Sequence, residues 1–374
     1  MNVVVLFPHG LEEVGAIGLE SFGAKSIQIV RGSVSCKLDL QSFYRLHLQA
    51  RLPFRILREI SKFSCLGKQS LYYQVQNAFD FKEWLDPSKS FRVDVSGVTK
   101  TLNHSHFTAL QVKNAIIDLQ RTIWGKRSSI NLHSPDVCIH LHLRSDNAIL
   151  SFATSNSSLH RRGYKSAIGI APLKENIAAG LLKISNWDES LTLVDPFCGS
   201  ATFLLEAAGI VRGIAPGLNK TYLFERWPDF NLNLWRSEKK LALNLFKPLK
   251  NLPKIIGLEN DLDIYNQAKI NISKANFQED IEIQLGSFYE FQFPNSAGII
   301  VCNPPYGNRL GNEEALESLY TDFGYFLKNN ASGWHLWLLS GNPRLSSFLR
   351  MKCSRRFPVS NGGIDCRWMH YEIH

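Results

Sequence analysis

The sequence lacks the features that mark secreted, membrane-spanning and zinc-binding proteins. Its seven cysteines are scattered and none forms a C-x-x-C pair, so we expect neither a zinc site nor a disulfide framework, and a reducing cytoplasm fits better. No apolar run approaches the length of a membrane span, so no membrane contact is expected. The N-terminal stretch MNVVVLFPHGLEE has too short an apolar run, and no basic lead, for a signal peptide.

Two nucleotide-binding signatures are absent as well. The sequence contains neither a G-x-G-x-x-G fingerprint nor the Lys-Ser/Thr of a phosphate-binding P-loop. It also contains no internal repeat and no low-complexity segment. At 374 residues the chain exceeds the usual size of a single core, so two or three domains are expected.

Positive charge is concentrated in the N-terminal half. Residues 1–165 contain 21 Lys and Arg against 12 Asp and Glu, a net charge of +9, whereas residues 166–374 contain 21 of each. A basic part joined to a neutral part is typical of a polyanion-binding module attached to a catalytic domain, although a solvated basic surface without a partner gives the same count. The candidate contacts to phosphate are Arg31, Arg51, Arg55, Arg58, Lys126, Arg127, Arg161 and Arg162.

The N-terminal half is predicted to contain two small α+β units. In the first, strands at 3–7, 26–30 and 34–38 accompany a helix over 10–22 and a second helix over 39–61. The second begins near residue 63, and its alternating strand (SFRVDVSGV) precedes a helix over 107–124 and a hairpin that turns at 145–147. His140 and His142 share one face of that hairpin. Without a third ligand nearby they are more typical of exposed or hydrogen-bonded histidines than of a metal site.

From residue 171 onward, short apolar strands alternate with helices, which predicts a parallel, doubly wound sheet. A helix opened by Pro172 comes first. Ligands of such sheets bind at the carboxyl ends of the strands. Those ends are predicted at residues 195–201, 257–261, 286–288 and 303–306, and every unusual residue of this half lies at one of them.

Two of these strand ends suit a nucleoside-bearing cofactor. The loop DPFCGSATF contains Gly199, which permits a tight turn, and the helix after it offers free N–H groups. Glu259 follows the next strand, where an acid can accept both ribose hydroxyls, whereas Asp261 can instead cap the following helix. An insertion over roughly residues 212–253 separates the two ends. Its aromatic residues either pack the insertion against the rest of the protein or form part of the wall of a substrate site, and packing is the simpler interpretation.

The last of these strands ends in Asn303-Pro304-Pro305-Tyr306. Each proline disfavours the helical region for the residue before it, so Asn303 and Pro304 are expected to be extended. The Asn303 side-chain oxygen and the Pro304 carbonyl then form two acceptors at one place. A tightened turn is the alternative interpretation.

These strand ends resemble those of class I S-adenosylmethionine-dependent methyltransferases. In that family (D/N/S)PP(Y/F) marks enzymes that methylate exocyclic amino groups of bases, or the amide of Gln. The resemblance implies a class I (Rossmann-like) methyltransferase domain over residues 166–374 with S-adenosylmethionine as cofactor. No metal is expected, because the leaving group is already a sulfonium. Asn303 and Pro304 would accept the N–H groups of the target amine and Tyr306 would stack on the base.

The wider sequence resembles the family of bacterial ribosomal RNA large-subunit methyltransferase L. LHRRGYKSAIGIAPLKENIAAGLL (159–182), DPFCGSATFLLEAA, APGL (215–218), NPPYGNRL and GGIDC (362–366) occur in that order. The resemblance implies a ferredoxin-like unit over residues 1–62, a THUMP RNA-binding domain over 63–165, and N2-methylation of a guanine in 23S ribosomal RNA. Some members are fused to a second methyltransferase half. Because the chain ends at His374, we expect that half to be absent here.

The same resemblance gives the candidate cofactor contacts. They are Asp195, Phe197 and Gly199 at the methionine end, Glu259 at the ribose, Ser287 and Phe288 at the adenine, and, without a more specific role, Pro172, Ser200, Asp261 and Asn303.

The sequence departs from the family at two positions. Ala201 stands where the family usually has Gly, and Ser287 stands where it usually has an Asp that receives the adenine amino group. Three other functions remain open: a transfer RNA guanine-N2 methyltransferase of the THUMP class, a DNA adenine-N6 methyltransferase, and a non-catalytic RNA-binding or ribosome-assembly protein. The modified nucleotide and the oligomeric state are not predicted.

Overall fold

Two seven-stranded sheets form the framework of the protein, one in each half of the chain. The structure is a computed structural model that describes residues 1–165, 173–248, 252–294, 296–306 and 313–374. The mixed α/β architecture confirms the predicted fold class.

The N-terminal sheet has the strand order β2-β3-β1-β4-β7-β6-β5. Its neighbouring strands pair antiparallel, except for β5 and β6, which are parallel. β4 pairs with both β1 and β7 and so joins the two predicted units into one sheet; the boundary predicted at residue 62 lies inside it. The elements are β1 (Asn2–Leu6), α1 (Glu12–Ser21), β2 (Lys25–Val30), β3 (Ser33–Lys37), α2 (Leu40–Gln49), β4 (Arg55–Ser64), α3 (Lys68–Gln76), α4 (Phe81–Trp84), β5 (Phe91–Val98), α5 (Ser105–Trp124), β6 (Val137–Arg144) and β7 (Asn147–Ala153).

One predicted helix is wrong in its second half. The helix expected over residues 39–61 ends at Gln49, and β4 begins at Arg55. Pro53 lies between them, and proline both lacks the N–H that a helix interior needs and keeps the preceding residue extended. Ile56 and Leu57 are then buried in the middle of the sheet, where an apolar strand gains most from burial.

The C-terminal sheet has the strand order β10-β9-β8-β11-β12-β14-β13. The five strands from β10 to β12 are parallel, and the hairpin β13–β14 adds antiparallel strands at one side. Strand order reverses between β8 and β11, which is where open α/β sheets bind ligands. The elements are α6 (Glu175–Ile184), β8 (Thr192–Asp195), α7 (Thr202–Val211), α8 (Leu232–Leu243), β9 (Ile255–Glu259), α9 (Leu262–Lys274), β10 (Ile281–Leu285), β11 (Gly298–Cys302), α10 (Glu313–Asn330), β12 (His335–Ser340), α11 (Pro343–Ser347), β13 (Cys353–Asn361) and β14 (Ile364–Glu372).

The insertion in the C-terminal half packs against the N-terminal half. α8 lies along α2, and the fully buried carboxylate of Glu238 accepts hydrogen bonds from Arg45 and Gln41 of α2. The ring of Phe224, from the insertion, lies 5.4 Å from that of Tyr44. The interpretation of the insertion's aromatic residues as packing residues is therefore confirmed, and they join the two halves.

No helix in the part of the chain that the structure describes is long and apolar enough to cross a membrane. No group of three or more metal-ligating side chains is found among the described residues. The seven cysteines are all free thiols.

Candidate functional site

The four strand ends predicted to share an edge belong to four neighbouring strands, β10, β9, β8 and β11, and strand order reverses between β8 and β11. Asp195 is the last residue of β8, the strand next to this reversal. Its carboxylate is 1 % exposed and accepts a hydrogen bond from the Phe197 amide at 3.1 Å. Burial raises the pKa of the Asp195 carboxyl well above its usual range, and the nearby charge of Glu259 raises it further. A cationic ligand group at this edge would offset both effects.

The loop after β8 is fixed by the end of β9. The Gly199 amide donates to Glu259 Oε2 at 3.0 Å, and the Asp261 amide donates to Glu259 Oε1 at 3.0 Å. Gly199 has a positive φ of 54°, and the space into which a Cβ would project there is open. Asp261 accepts from the amides of Asp263 and Ile264 and caps α9, as its alternative interpretation predicted. The loop thus offers an open backbone surface beside a carboxylate.

Ala201 adopts a left-handed conformation at the start of α7, with φ 65° and ψ 29°. For an L-residue, unlike the achiral glycine, adopting this left-handed conformation costs about 1–2 kcal/mol of conformational energy. The departure from the family's usual glycine therefore falls at a position where glycine has a physical advantage. The Ala201 side chain is fully buried, so its methyl group contributes to the core beneath the loop.

Aromatic rings border the third strand end. The ring of Phe197 lies 5.6 Å from that of Phe288 and 5.0 Å from that of Phe323. Phe288 is buried, whereas Phe197 is half-buried at the edge of the same cluster. Ser287 precedes a short 3-10 turn at Phe288–Glu290 and its side chain makes no capping hydrogen bond. This end of the site therefore has an apolar wall with a hydroxyl group beside it.

Asn303 carries the most distinctive polar atom of the site. Among the described residues, its Oδ1 is buried and has no hydrogen-bond partner. An unpaired buried acceptor costs about 1–3 kcal/mol, so such atoms call for an explanation. Asn303 directly follows β11, which pairs with β8. The acceptor therefore lies at the same edge as Asp195.

Tyr306 is held by the hairpin β13–β14. Its hydroxyl lies 3.3 Å from Asn361 Nδ2 and 3.5 Å from Cys366 Sγ. Its ring also contacts the backbone after β12, since a Cβ on Gly341 would come within 2.8 Å of it. Burial raises the pKa of the Tyr306 phenol, which stays neutral. Sequence reasoning missed these anchors; the GGIDC motif (362–366) was the available signal.

Two of the predicted phosphate contacts are wrong, because their guanidinium groups are used inside the protein. Arg51 and Arg162 both pair with Glu206 of α7, at 3.1 Å each, and their side chains are 16 % and 6 % exposed. Arg51 also donates to the carbonyls of Gly209 and Ile214. Tyr164 donates to Glu206 as well. This Glu206 cluster fastens the N-terminal half to the helix that follows the Gly199 loop.

The other candidates divide into two groups. Arg55 pairs with Asp94 at 3.1 Å, and Arg58 pairs with Asp229 at 2.6 Å while lying over the ring of Trp84. Both are partly buried, so they are poorly placed for phosphate. The exposed candidates are Arg31, Lys126, Arg127 and Arg161. The candidate cofactor contact Pro172 lies outside the described residues.

Comparison with known sequences gives matches in both halves of the chain. The family described as "RMKL-like, methyltransferase domain" matches residues 162–370. The THUMP domain matches residues 70–153. The two matches follow the order that the sequence resemblance implied.

Individual relatives cover nearly the whole chain. A Synechocystis protein provisionally named as an RNA methyltransferase is 38 % identical over 98 % of this chain and 95 % of its own. Ribosomal RNA large subunit methyltransferase K/L of Methylococcus capsulatus is 35 % identical over 98 % of this chain, but this chain spans only 50 % of that protein. The crystal structure of SMU.472, provisionally described as a methyltransferase and complexed with SAH, superposes with a TM-score of 0.90 at 25 % identity, over 100 % of this chain and 98 % of that one.

Proposed function

The chain belongs to the RMKL-like methyltransferase family, and we propose that it transfers a methyl group from S-adenosylmethionine to the N2 amine of a guanine in 23S ribosomal RNA. The observation that carries this proposal is the buried, unpaired Oδ1 of Asn303. No group of the described residues donates a hydrogen bond to this oxygen, which lies at the ligand-binding edge of the sheet. The exocyclic amine of a bound base would supply the missing N–H donor.

The residues present fit the cofactor. The buried Asp195 carboxyl lies where a cationic ligand group is favoured, Gly199 leaves open space above the loop, and Phe197 and Phe288 form an apolar wall for a purine. When bound, S-adenosylmethionine supplies an electrophilic methyl group on a sulfonium. Glu259 already orders the Gly199 loop, and its second task, binding the ribose, would compete with these amide contacts.

The chain's own contribution to the reaction is orientation of a weak nucleophile. An aryl amine shares its lone pair with the ring. Asn303 Oδ1 and the Pro304 carbonyl accept its two N–H groups, which favours a tetrahedral nitrogen with its lone pair directed at the methyl group. Tyr306 holds the base by stacking, and its hydroxyl contacts to Asn361 and Cys366 keep the ring in place.

We assign RNA binding to the N-terminal half, in which residues 63–165 form the THUMP domain and residues 1–62 the ferredoxin-like unit. The excess of positive charge and the THUMP match support this assignment. The acceptor pair at Asn303 and Pro304 would serve adenine N6 as well as guanine N2. Base identity is therefore the first quantity to measure.

The test is methylation by the full chain of 23S ribosomal RNA, transfer RNA and DNA that lack the modification, followed by nucleoside mass spectrometry. We expect N2-methylguanine in the ribosomal RNA. N6-methyladenine as the product, or methylation of transfer RNA or DNA alone, would contradict the proposal.

Asn303→Ala should lower the turnover by about 10²–10³-fold, while the cofactor affinity, measured by calorimetry, stays unchanged. Asn303→Asp keeps an acceptor and serves as the matched control, with a smaller loss.

A further inference from the structure

A cluster of positive charge lies in the segment that joins the two halves of the protein. Arg161 and Lys165 belong to this segment, and hydrogen bonds bring two further cations to it. Lys220 Nζ donates to the Arg161 carbonyl at 2.5 Å. Lys165 Nζ donates to the Leu173 carbonyl at 2.6 Å, which places it next to Lys174. These four cations, Arg161, Lys165, Lys174 and Lys220, are called the junction cluster.

The junction cluster has no carboxylate of its own. Within the part of the chain that the structure describes, none of its side chains forms an ion pair. The residues outside that part contain no Asp or Glu, so they supply no counter-charge. Of the two acids in this neighbourhood, Glu206 is already paired with Arg51 and Arg162. The other, Glu175, is buried, and burial raises the pKa of its carboxyl, which favours the neutral form.

The pKa values of neighbouring groups reflect this excess of positive charge. Burial, followed by the charges of Lys174 and Arg161, lowers the pKa of His160 to about 4. Burial, followed by the charge of Arg162, lowers the pKa of Lys220 to about 8. Nearby cations thus oppose a further positive charge at both places. A bound anion would offset this repulsion.

The cluster is fixed to the methyltransferase domain. Tyr164 and Arg162, which belong to the same segment, both contact Glu206 of α7, at 3.1 Å each. α7 begins at Thr202, three residues after Gly199 of the cofactor loop. The opposite end of the segment continues from the half to which RNA binding is assigned. The junction cluster therefore lies on the connection between the RNA-binding half and the helix that follows the cofactor loop.

The single sign of the charge decides what kind of ligand fits. Lysine and arginine bind phosphate through charge-assisted hydrogen bonds. RNA is the polyanion that the proposed function supplies, and its backbone presents one such phosphate at every nucleotide. Arg161 and Lys174 are exposed, so their charged groups can reach a ligand as large as RNA. We propose that the junction cluster binds a phosphate group of the RNA backbone; this rests on the proposed function.

The test uses the full chain and short RNA fragments that contain the methylated guanine. Each phosphate is replaced in turn by an uncharged methylphosphonate, and KM for methylation is measured. We expect replacement at one or two positions to raise KM about tenfold, the effect of losing a charge-assisted hydrogen bond. Arg161→Ala and Lys174→Ala should each raise KM for unmodified RNA, yet leave KM unchanged for RNA that lacks this phosphate. Cofactor affinity, measured by calorimetry, should stay constant.

Two further variants sharpen the test. Lys183→Ala is the matched control, because Lys183 is an exposed lysine in the last turn of α6, about 14 Å along the helix from Lys174. It should leave KM unchanged. Lys220→Gln removes the charge of the half-buried amine but retains N–H donors for the Arg161 carbonyl. It should raise KM as Lys174→Ala does.

Several results would overturn the proposal. If the cluster variants behave like Lys183→Ala, or if no methylphosphonate changes KM, the junction cluster does not bind the RNA backbone. If inorganic phosphate binds the wild-type chain but not Lys174→Ala, while no methylphosphonate matters, the cluster binds free phosphate instead. If the wild-type chain methylates no RNA, the proposed function fails, and equilibrium binding of ribosomal RNA fragments tests the cluster separately. Equal affinity of the wild type and Lys174→Ala would then contradict it.

Discussion

Ala201 holds a backbone conformation that alanine rarely adopts. Its left-handed φ of 65° costs about 1–2 kcal/mol. Two effects favour alanine over glycine: a buried methyl group gains about 0.8 kcal/mol, and glycine adds about 0.4–1 kcal/mol of unfolded-state entropy. These effects nearly cancel. We therefore expect Ala201→Gly to change the free energy of unfolding by less than about 1 kcal/mol, measured by urea denaturation.

Ala201→Val is the counterpart, because a branched side chain suits neither the left-handed region nor the packed core. It should destabilise the protein by about 1–3 kcal/mol from overpacking alone. If Ala201→Gly stabilised the protein by several kcal/mol, the Ala201 methyl group would be strained against its surroundings rather than accommodated by them.

Gly341 limits where the Tyr306 ring can lie. A methyl group there would come within 2.8 Å of Tyr306 Cε2 and 3.1 Å of Ile364 Cγ2, so the ring has to move. Misplacement of a group by about 1 Å can cost about 10²-fold in rate. Gly341→Ala should thus lower the turnover strongly while cofactor affinity, measured by calorimetry, stays constant. Gly18→Ala, where a methyl group meets no atom within 4 Å, is the control and should keep full turnover.

Among the helices, α7 connects the two halves of the protein. Glu206 on this helix is 1 % exposed and pairs with Arg51 and Arg162. Burial alone would raise the pKa of the Glu206 carboxyl, but the charges and hydrogen bonds of the two arginines outweigh burial and lower it. Glu206→Gln leaves two buried guanidinium groups without a counter-charge. It should destabilise the protein by about 3–5 kcal/mol near neutral pH.

The lowered pKa of Glu206 also predicts how the stability loss of Glu206→Gln changes with pH. A carboxyl whose pKa is lowered by folding contributes stability above its unfolded pKa of about 4.3, and loses that contribution as pH falls through the folded value. The difference between wild type and Glu206→Gln should therefore shrink on acidification. Glu313→Gln breaks an exposed pair with Arg344 and should cost less than about 1 kcal/mol. Equal losses in both variants would mean that the Glu206 cluster does not fasten the halves.

The strands around the site could be predicted from the sequence, because continuous apolar runs ending in Asp195, Glu259 and Asn303 are a local signal. The Glu206 cluster could not, because a sequence does not show whether an arginine is exposed or is paired inside the protein. Pro53 did signal the end of α2, but Arg55 and Arg58, three residues apart among apolar residues, resembled a continuing amphipathic helix and obscured this signal. The anchoring of Tyr306 is a contact between distant segments; the GGIDC motif (362–366) marks one of these segments, but a local pattern does not show that it contacts Tyr306.

At the scale of the whole molecule, the two halves do not form independent units. Separation at residue 165 would expose the faces that α2 and α8 share, and would leave Glu206 and Glu238 buried without Arg51 and Arg45. The expected division of labour, RNA binding by residues 1–165 and cofactor binding by 166–374, is therefore best tested in the intact chain. The exposed Lys126 and Arg127, just after α5, are the residues to change.

RNA affinity of the intact chain should fall log-linearly with salt, because each phosphate contact releases a counterion. The slope on single-stranded RNA should be about 0.7 for each phosphate neutralised. Replacing Lys126 and Arg127 with Ala should reduce the slope by up to about 1.4 and weaken binding without altering cofactor affinity or base choice. The matched control replaces Lys254 and Lys274, two exposed lysines of the neutral C-terminal half, with Ala. If the control lowers the slope as much as the N-terminal pair does, RNA binding follows total charge, and the charge excess of residues 1–165 is only a solvated surface.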